Sequence, residues 1–246
     1  MWIWITAFVA IIVLLLICLH RVRSERVVGP EEGIEDDATV DSYEKVSRML
    51  PFKILRILAI RRLKKMDPRG LLADIGCGPG YFTGDMARAL PDVTITAVDI
   101  ADEMLVRARR NLSSPDIADR INYQQGDIHA LPFEDNSLDF VVSTFSLHHW
   151  AEPPRAFREI HRVLKPQGQF LIFDTRRDSP WLYYQALKLA QKFILPSQLQ
   201  EKNEPTSSVM ASYAPEEAVD FCEGIPFSGL SANPGFFWLF VSGYKT

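Results

Sequence analysis

The chain has 246 residues, 47% of them hydrophobic, and a formal net charge of −4. This length allows one large domain with a short appendage, but not two full domains plus an anchor. The nearly balanced charge gives no whole-chain case for nucleic-acid binding. Cys18, Cys77 and Cys222 are far apart, so the sequence predicts neither a disulfide framework nor a zinc site and favours a reducing compartment.

The first segment, residues 2–19, contains no charged residue. As a helix rising about 1.5 Å per residue, it would be roughly 27 Å long, close to the ~30 Å thickness of a bilayer core. Basic residues follow the run and no small-residue cleavage site does, which favours an uncleaved transmembrane anchor over a signal peptide. A buried core helix is a third interpretation, but the run has no polar face.

Arg21, Arg23 and Arg26 lie directly after this apolar run. Because basic residues collect on the cytoplasmic side of a spanning helix, the sequence predicts a single-pass membrane protein whose main domain faces the cytosol. Residues 20–42 read as a linker, first basic and then acidic, and residues 43–246 as the main domain.

A helical pattern runs from Tyr43 to Met66 and is divided near Pro51. Its second part, which includes Lys53 to Lys65, combines apolar residues with several basic ones and no acid. Such a helix can rest on anionic lipid, or it can cover the main domain with a solvated basic face. The sequence leaves both interpretations open.

From residue 70 onward, β-branched apolar runs alternate with helical patterns. Strands are predicted at 71–75, 93–98, 121–125, 138–144, 169–174, 227–232 and 236–242. Helices are predicted at 81–90, 102–112, 153–164, 181–195 and 215–222. The βαβα order predicts a parallel sheet with helices on both faces, and the last two strands favour an antiparallel pair that closes it.

A glycine-rich loop, Asp74-Ile-Gly-Cys-Gly-Pro-Gly80, follows the first of these strands and precedes a helix. Glycines let the backbone turn sharply and approach a ligand closely. Asp99 and Asp127 end the next two strands, where carboxylates can hold ribose hydroxyls and an exocyclic amine. A nicotinamide dehydrogenase would have glycine or alanine where Tyr81 stands, and the Lys-Ser/Thr end of a P-loop is missing.

These motifs resemble those of the class I S-adenosylmethionine (SAM)-dependent methyltransferases, and most closely the quinone and small-molecule branch. The segments that carry the resemblance are 74–80, Ala97-Val-Asp-Ile100, Gly126-Asp-Ile-His-Ala-Leu-Pro-Phe133, Asp139-Phe-Val-Val-Ser143 and Glu159-Ile-His-Arg-Val-Leu-Lys-Pro-Gln-Gly168. The resemblance covers residues 43–246. It implies an α/β fold with a Rossmann-like, doubly wound, seven-stranded sheet containing one antiparallel strand, here with an N-terminal transmembrane helix.

The resemblance also implies which residues contact SAM. They are Asp74, Gly76, Cys77, Gly78, Gly80, Asp99, Ile100, Asp127, Ile128 and Ser143. The loop residues would contact the methionine part, and the acid ending the second strand would receive the ribose hydroxyls. Ile100 would pack on the adenine, and Asp127 with the backbone of Ile128 would read its edge. Residues from Ser143 to Ser146 would lie beneath the methyl group.

His148 and His149 follow the fourth strand and are the candidate catalytic residues, because histidine can act as a general base near neutral pH. No metal site is predicted. The predicted function is methyl transfer from SAM to a small, apolar, membrane-accessible acceptor. An inactive SAM-binding scaffold or sensor and a protein methyltransferase are the alternatives. The predicted partners are the small-molecule acceptor and the lipid bilayer.

Overall fold

The computed structural model describes Phe8, His20, Arg21, residues 24–27 and residues 37–246. Within residues 37–246 the helices are α1 (Asp37–Ser47), α2 (Leu50–Lys64), α3 (Tyr81–Ala89), α4 (Asp102–Asn111), α5 (Pro153–Val163), α6 (Trp181–Phe193), α7 (Ser197–Glu201), α8 (Thr206–Ala211) and α9 (Pro215–Asp220). The strands are β1 (Gly70–Ile75), β2 (Val93–Asp99), β3 (Ile121–Gln125), β4 (Leu138–Thr144), β5 (Leu164–Thr175), β6 (Phe227–Pro234) and β7 (Trp238–Lys245). Short 3-10 helices occur at Ala118–Arg120 and Leu147–His149.

All seven strands form one sheet in the order β3-β2-β1-β4-β5-β7-β6. The first five strands pair in parallel, whereas β7 runs antiparallel to both of its neighbours. The predicted Rossmann-like, seven-stranded α/β sheet with one antiparallel strand is therefore confirmed. Strand order reverses between β1 and β4, and in such sheets this switch point opens a crevice at the carboxyl ends of the strands.

The sheet separates two layers of buried apolar side chains, because successive strand residues point to opposite faces. On β1, Leu72 packs with the layer formed by α2, α3 and α4. The next residue, Ala73, packs with the layer formed by α5 and α9. The helices thus cover both faces of a sheet whose central strands are buried on both sides, which is typical of parallel sheets.

Several boundaries differ from the sequence-based expectation. The helix expected from Tyr43 begins at Asp37, and Pro51 lies in the first turn of the second helix. The strand expected at 169–174 begins at Leu164, directly after α5, because its first residue pairs with Leu138 across an irregularity in the β4–β5 register. The polar segment before residue 215 contains the two short helices α7 and α8. They are too short to show a hydrophobic periodicity in the sequence.

The N-terminal segments are described only in part. Apart from Phe8, the predicted anchor at 2–19 lies outside the described residues, and among the described residues no helix is long and apolar enough to cross a membrane. The described part of the predicted linker is attached to the domain. The Val27 amide donates to the Met210 carbonyl at 3.1 Å, and Arg26 Nε donates to the Ala211 carbonyl at 2.7 Å.

Candidate active site

The glycine loop lies at the switch point of the sheet and is fastened to the end of β2. The amides of Gly76 and Cys77 both donate to the Val98 carbonyl, at 2.8 and 2.9 Å. The Gly78 amide donates to Asp99 Oδ2 at 2.8 Å. Burial, together with two nearby acids, raises the pKa of the Cys77 thiol well above its usual value. Cys77 is therefore a neutral, buried side chain at neutral pH.

The three glycines of the loop all have a positive φ, but their surroundings differ. The φ values are 71° at Gly76, 52° at Gly78 and 83° at Gly80. A Cβ atom on Gly76 would lie 2.8 Å from Ser146 Oγ, and one on Gly80 would lie 2.8 Å from Leu112 Cδ1. A Cβ atom on Gly78 would meet nothing within 4 Å. The backbone at Gly78 therefore borders open space that a ligand can enter.

Alanine at Gly78 and at Gly80 should have different effects. Gly80→Ala should lower the free energy of unfolding by about 2–4 kcal/mol, because a left-handed backbone strains alanine and its methyl overpacks Leu112. Gly78→Ala should lose only about 1–2 kcal/mol through backbone strain. Its methyl group enters the open space, so SAM affinity should fall at least tenfold. Urea titration and calorimetry measure the two effects, and unchanged SAM affinity in Gly78→Ala would place the ligand elsewhere.

Asp74 carries the most unusual polar group of the site. The residue is 1% exposed, and its Oδ2 accepts a hydrogen bond from Thr83 Oγ1 at 2.6 Å. Its Oδ1 is buried and has no hydrogen-bond partner within the described part of the chain. Burial raises the pKa of Asp74 to about 7, with a further contribution from the charge of Asp99. An unpartnered buried carboxylate oxygen is costly, so this atom is suited to a cationic donor from a ligand.

Asp99 ends β2 next to the same loop. Its Oδ2 accepts from Gly78, and its Oδ1 accepts from the Ala101 amide at 3.0 Å. Burial raises the pKa of Asp99, although backbone amides oppose the shift. Two buried carboxyl groups beside one loop favour a ligand with positive charge and disfavour the pyrophosphate of a dinucleotide. The sulfonium and ammonium groups of SAM fit this electrostatic environment.

Asp127 follows β3 and is paired with a histidine that the sequence did not single out as a site residue. His129 Nδ1 and Asp127 Oδ1 are 2.8 Å apart, and His129 Nε2 accepts from the Glu152 amide at 3.1 Å. Since Nε2 is an acceptor, Nδ1 carries the proton and donates it to the carboxylate. This pair fixes Asp127 at the edge of the crevice. Ile100 is 40% exposed near the same edge, whereas the side chain of Ile128 is buried.

The end of β4 forms the other wall of the crevice. The hydroxyl of Ser143 is buried and donates to the Ile75 carbonyl at 2.7 Å, so it joins β4 to β1. Phe145 has a φ of 55°, which is rare for a bulky residue, and its amide donates to the Phe173 carbonyl at 2.7 Å. Its ring lies 5.9 Å from the ring of Phe52 on α2 and 5.0 Å from that of Phe173. Aromatic rings therefore line the approach from α2 to the end of β4.

His148 forms a buried dyad with Asp174 of β5. The distance from His148 Nδ1 to Asp174 Oδ1 is 2.8 Å, and the backbone amide of His148 donates to Asp174 Oδ2 at 2.9 Å. Burial alone would lower the pKa of His148, but the charge and hydrogen bond of Asp174 outweigh it and the net pKa is raised. The ring of His149 lies 4.1 Å from that of His148. The dyad orients one imidazole and leaves its Nε2 as the basic atom.

Glu44 of α1 is a further residue that sequence reasoning missed. Its carboxylate accepts two bonds from Arg110 Nη2, at 2.9 and 2.8 Å, and one from Tyr81 Oη at 3.1 Å. Asn111 Nδ2 donates to Glu44 at 3.3 Å and also to the Pro79 carbonyl at 3.0 Å. These contacts fasten α1 beside the glycine loop. No local pattern signals them, because Glu44 lies in a run of mixed charges.

The structure thus gathers the predicted residues Asp74, Asp99 and Asp127, together with the glycine loop, at the carboxyl edge of β1 to β3. The candidate catalytic histidines follow β4, which neighbours β1 in the sheet. The contacts of the individual side chains with SAM remain predictions. Among the described residues, no group of three or more His, Cys, Asp or Glu side chains is arranged to hold a metal ion.

Comparisons with known proteins agree with this geometry. A family model described as a methyltransferase domain matches residues 73–172. A demethylmenaquinone methyltransferase of Lactococcus lactis subsp. lactis is 30% identical over 181 residues, which cover 72% of this chain and 69% of that protein. A biotin biosynthesis bifunctional protein of Teredinibacter turnerae is 32% identical over 162 residues, which cover 60% of this chain but only 28% of that protein.

Solved structures show the same fold. A SAM-dependent methyltransferase structure from Methanococcus maripaludis superposes with a TM-score of 0.67 and 26% identity, covering 89% of this chain and 98% of that one. A phosphoethanolamine N-methyltransferase of Haemonchus contortus, bound to S-adenosylhomocysteine, superposes with a TM-score of 0.64 at 17% identity, covering 85% and 58%. This chain therefore belongs to the SAM-dependent methyltransferases and is an enzyme that uses SAM as its methyl donor.

Proposed function

We propose that this enzyme methylates a small, apolar, aromatic acceptor that carries an ionisable hydroxyl group, such as a quinol, and that the acceptor reaches the site from a membrane. The buried His148–Asp174 dyad is the observation that carries the proposal. An acceptor hydroxyl must lose its proton before or during methyl transfer, and a histidine oriented by a carboxylate is suited to take it.

SAM supplies an electrophilic methyl group on a positively charged sulfur. The residues of this chain would bind and orient it: Asp74 Oδ1 would pair with a cationic group, and Asp99 and Asp127 would hold the ribose and adenine.

His148 Nε2 would accept the proton of the acceptor hydroxyl. Asp174 would keep the proton of Nδ1 in place and stabilise the imidazolium that forms. Phe52 and Phe145 would exclude water and pack against the acceptor ring, because methyl transfer depends mainly on alignment and desolvation.

The curated relatives support the choice of acceptor class, since one of them is named a demethylmenaquinone methyltransferase. The test is to incubate the detergent-solubilised, full-length protein with methyl-labelled SAM and, separately, a reduced demethylated quinone, a total lipid extract and a protein extract. Label should appear in the quinone and in the lipid extract. Label confined to protein would favour a protein methyltransferase. SAM binding without label in any fraction would favour the inactive scaffold.

We further propose that residues 2–19 anchor the enzyme in the membrane and that its domain faces the cytosol, where SAM is made. The basic residues after the apolar run support this topology. In the structure two of them also contact the domain: Arg21 Nη1 donates to the Asp178 carbonyl at 3.0 Å, and Arg26 Nη2 donates to the His148 carbonyl at 3.3 Å. The domain would therefore lie directly at the membrane surface instead of on a long tether.

The topology can be tested with a glycosylation site. The natural sequon at Asn111 is a poor reporter, because its amide is bonded to Pro79 and Glu44. Asp135→Asn creates a sequon with Asn136 and Ser137 at a side chain that is 69% exposed. In a eukaryotic host this variant should carry no glycan at 135. The same variant with a cleavable signal peptide in place of the apolar run should be glycosylated. A glycan on the anchored chain would show that the domain crosses the membrane.

A further inference from the structure

Helix α6 (Trp181–Phe193) presents a row of apolar side chains to solvent. Leu182, Leu189 and Phe193 are spaced by seven and four residues, which places them along one line of the helix. Leu189 is 60% and Phe193 71% exposed, and Ile194, directly after the helix, is 63% exposed. A cluster of exposed large apolar residues of this kind marks a surface that contacts a partner or a membrane.

The opposite side of α6 is seated on the domain. The ring of Tyr183 stacks on Phe237 with centroids 4.1 Å apart, and the hydroxyl of Thr206 in α8 donates to Gln191 Oε1. The helix is therefore held by its inner side while its outer, apolar side remains uncovered. Lys188 and Lys192 are also exposed on it.

Helix α2 carries a second row of the same character. Leu50, Ile54 and Ile57 are each about half exposed or more and are spaced by four and three residues, and Arg61 continues the line. Exposed Lys53 lies beside this row. Leu58 of α2 and Phe237 under α6 pack on the same buried layer, so both helices cover the same face of the sheet.

The connection to the N-terminal apolar run decides what these rows contact. The amide of Trp181, the first residue of α6, donates to the His20 carbonyl at 2.7 Å. The backbone of Arg21 pairs with that of Pro180. The chain that leaves residues 2–19 is therefore attached at the start of α6, and a bilayer that holds residues 2–19 must lie beside this helix.

We propose that α6 and α2 form a bilayer-facing surface, in which the apolar rows enter the headgroup region of an anionic membrane and the lysine and arginine side chains pair with lipid phosphates. The inference rests on the proposed anchor. Basic side chains flanking exposed apolar ones suit anionic lipid, because the apolar part inserts while the cationic ends reach the charged headgroups. Since Phe52 of the same helix α2 contacts Phe145 at the end of β4, this surface would adjoin the aromatic approach to the site.

A fluorescent probe on the full-length chain tests the surface directly. In a Cys18→Ser background, Leu189→Cys and Phe193→Cys are each labelled with the environment-sensitive dye NBD. Arg158→Cys, exposed on α5 at the opposite face of the sheet, is the control. Cys77 and Cys222 are buried and should not react. Each protein is reconstituted into phosphatidylcholine vesicles with or without phosphatidylglycerol, and flotation reports anchoring while spin-labelled lipids report contact. SAM calorimetry confirms that each labelled protein is folded.

In anionic vesicles, NBD at 189 and 193 should shift to shorter emission wavelengths and be quenched severalfold by lipids spin-labelled near the headgroup, whereas NBD at 158 should not. Added salt should reduce the quenching, because the basic contacts are screened. If the protein floats with the vesicles but the probes at 189 and 193 are neither shifted nor quenched, the inference is overturned and the proposed anchor stands. A blue shift without quenching would assign the surface to a second copy or to residues 2–19. Failure to float would overturn both the anchor and this surface.

Discussion

Replacing Asp74 by asparagine should nearly abolish SAM binding and, above neutral pH, should make the ligand-free protein more stable. The side chain keeps its shape, and the amide oxygen can still accept the Thr83 hydroxyl. The variant loses the negative charge that a cationic ligand group would pair with. Breaking one side of a buried charge pair costs about 3 kcal/mol or more, which corresponds to at least a hundredfold loss of affinity.

The stability effect has a definite dependence on pH. The folded-state pKa of Asp74 is about 7, whereas its ordinary value is 3.8. The unfolded chain therefore releases this proton first, and stability falls as the pH rises from about 4 to about 7. The amide of the asparagine variant has no proton to release. The free energy of unfolding of Asp74→Asn, relative to the wild type, should therefore increase over this pH range. At higher pH it should remain about 1–3 kcal/mol above that of the wild type, once the cost of a buried amide is included.

SAM affinity should show the opposite trend in the wild-type protein. Only the ionised Asp74 attracts a cationic group, so affinity should fall as the pH drops below 7 and approach a tenfold loss per pH unit. Urea titrations and calorimetry between pH 5 and 8 measure both effects. Asp92→Asn removes the same charge at an exposed position and is the control. A variant that binds SAM as tightly as the wild type, or a stability difference that does not change with pH, would contradict this account of Asp74.

The second large effect is expected at the His148–Asp174 dyad. Asp174→Asn should lower turnover by about a hundredfold to ten-thousandfold, the usual contribution of a positioned general base. SAM affinity should change by only a few fold, because the carboxylate is bonded to His148 and to the Thr175 amide and not to the glycine loop. His148→Gln should lose a similar factor, since it removes the basic atom itself.

A pH profile separates this role from a purely structural one. The base is active when it is unprotonated, so activity should rise with pH through the pKa of His148, which Asp174 raises above its ordinary value. In Asp174→Asn, burial and the charge of Arg26 lower the pKa of His148 against only the weaker effect of Glu204. The acidic limb should therefore move to lower pH while the plateau drops. His129→Gln disturbs the pair that His129 forms with Asp127. This variant should alter SAM affinity but leave the acidic limb of the activity profile at the same pH. If Asp174→Asn lowers activity without shifting the limb, Asp174 supports the fold and not the base.

The sequence predicted the parts of this enzyme that depend on neighbouring residues. The strands show as short, β-branched apolar runs, and the glycine loop is identified by spacing over seven residues. Asp99 and Asp127 were predicted as site residues because each follows a strand, and parallel strands end at one edge. The parts that were missed depend on residues far apart in the chain. Asp174 was predicted to lie at the end of a strand, but its pairing with His148 depends on the twist and register of two strands.

The N-terminal region shows the same limit. Composition indicated a basic and then acidic linker, and Arg21 and Arg26 were read as positive charges at the cytoplasmic end of the predicted anchor. Their partners, Asp178 and Ala211, are more than 150 residues away in the sequence, and no local rule reveals them. Glu44 likewise finds its arginines on α4 only after the domain has folded. Charged residues in such segments are as easily solvated as paired, so pattern reasoning favours the solvated interpretation.

The attachment of residues 20–27 has a mechanical consequence. Val27 is fixed to α8 and Glu44 of α1 is fixed to α4, so residues 28–36 connect two points that are both held by the domain. If residues 2–19 anchor the enzyme as proposed, a pull on them would be borne by the contacts of His20, Arg21 and Arg26. It would not be transmitted to α1, which lies beside the glycine loop, so the proposed donor site would be shielded from membrane tension. Insertions and deletions within residues 28–36 should accordingly be tolerated without altering catalysis.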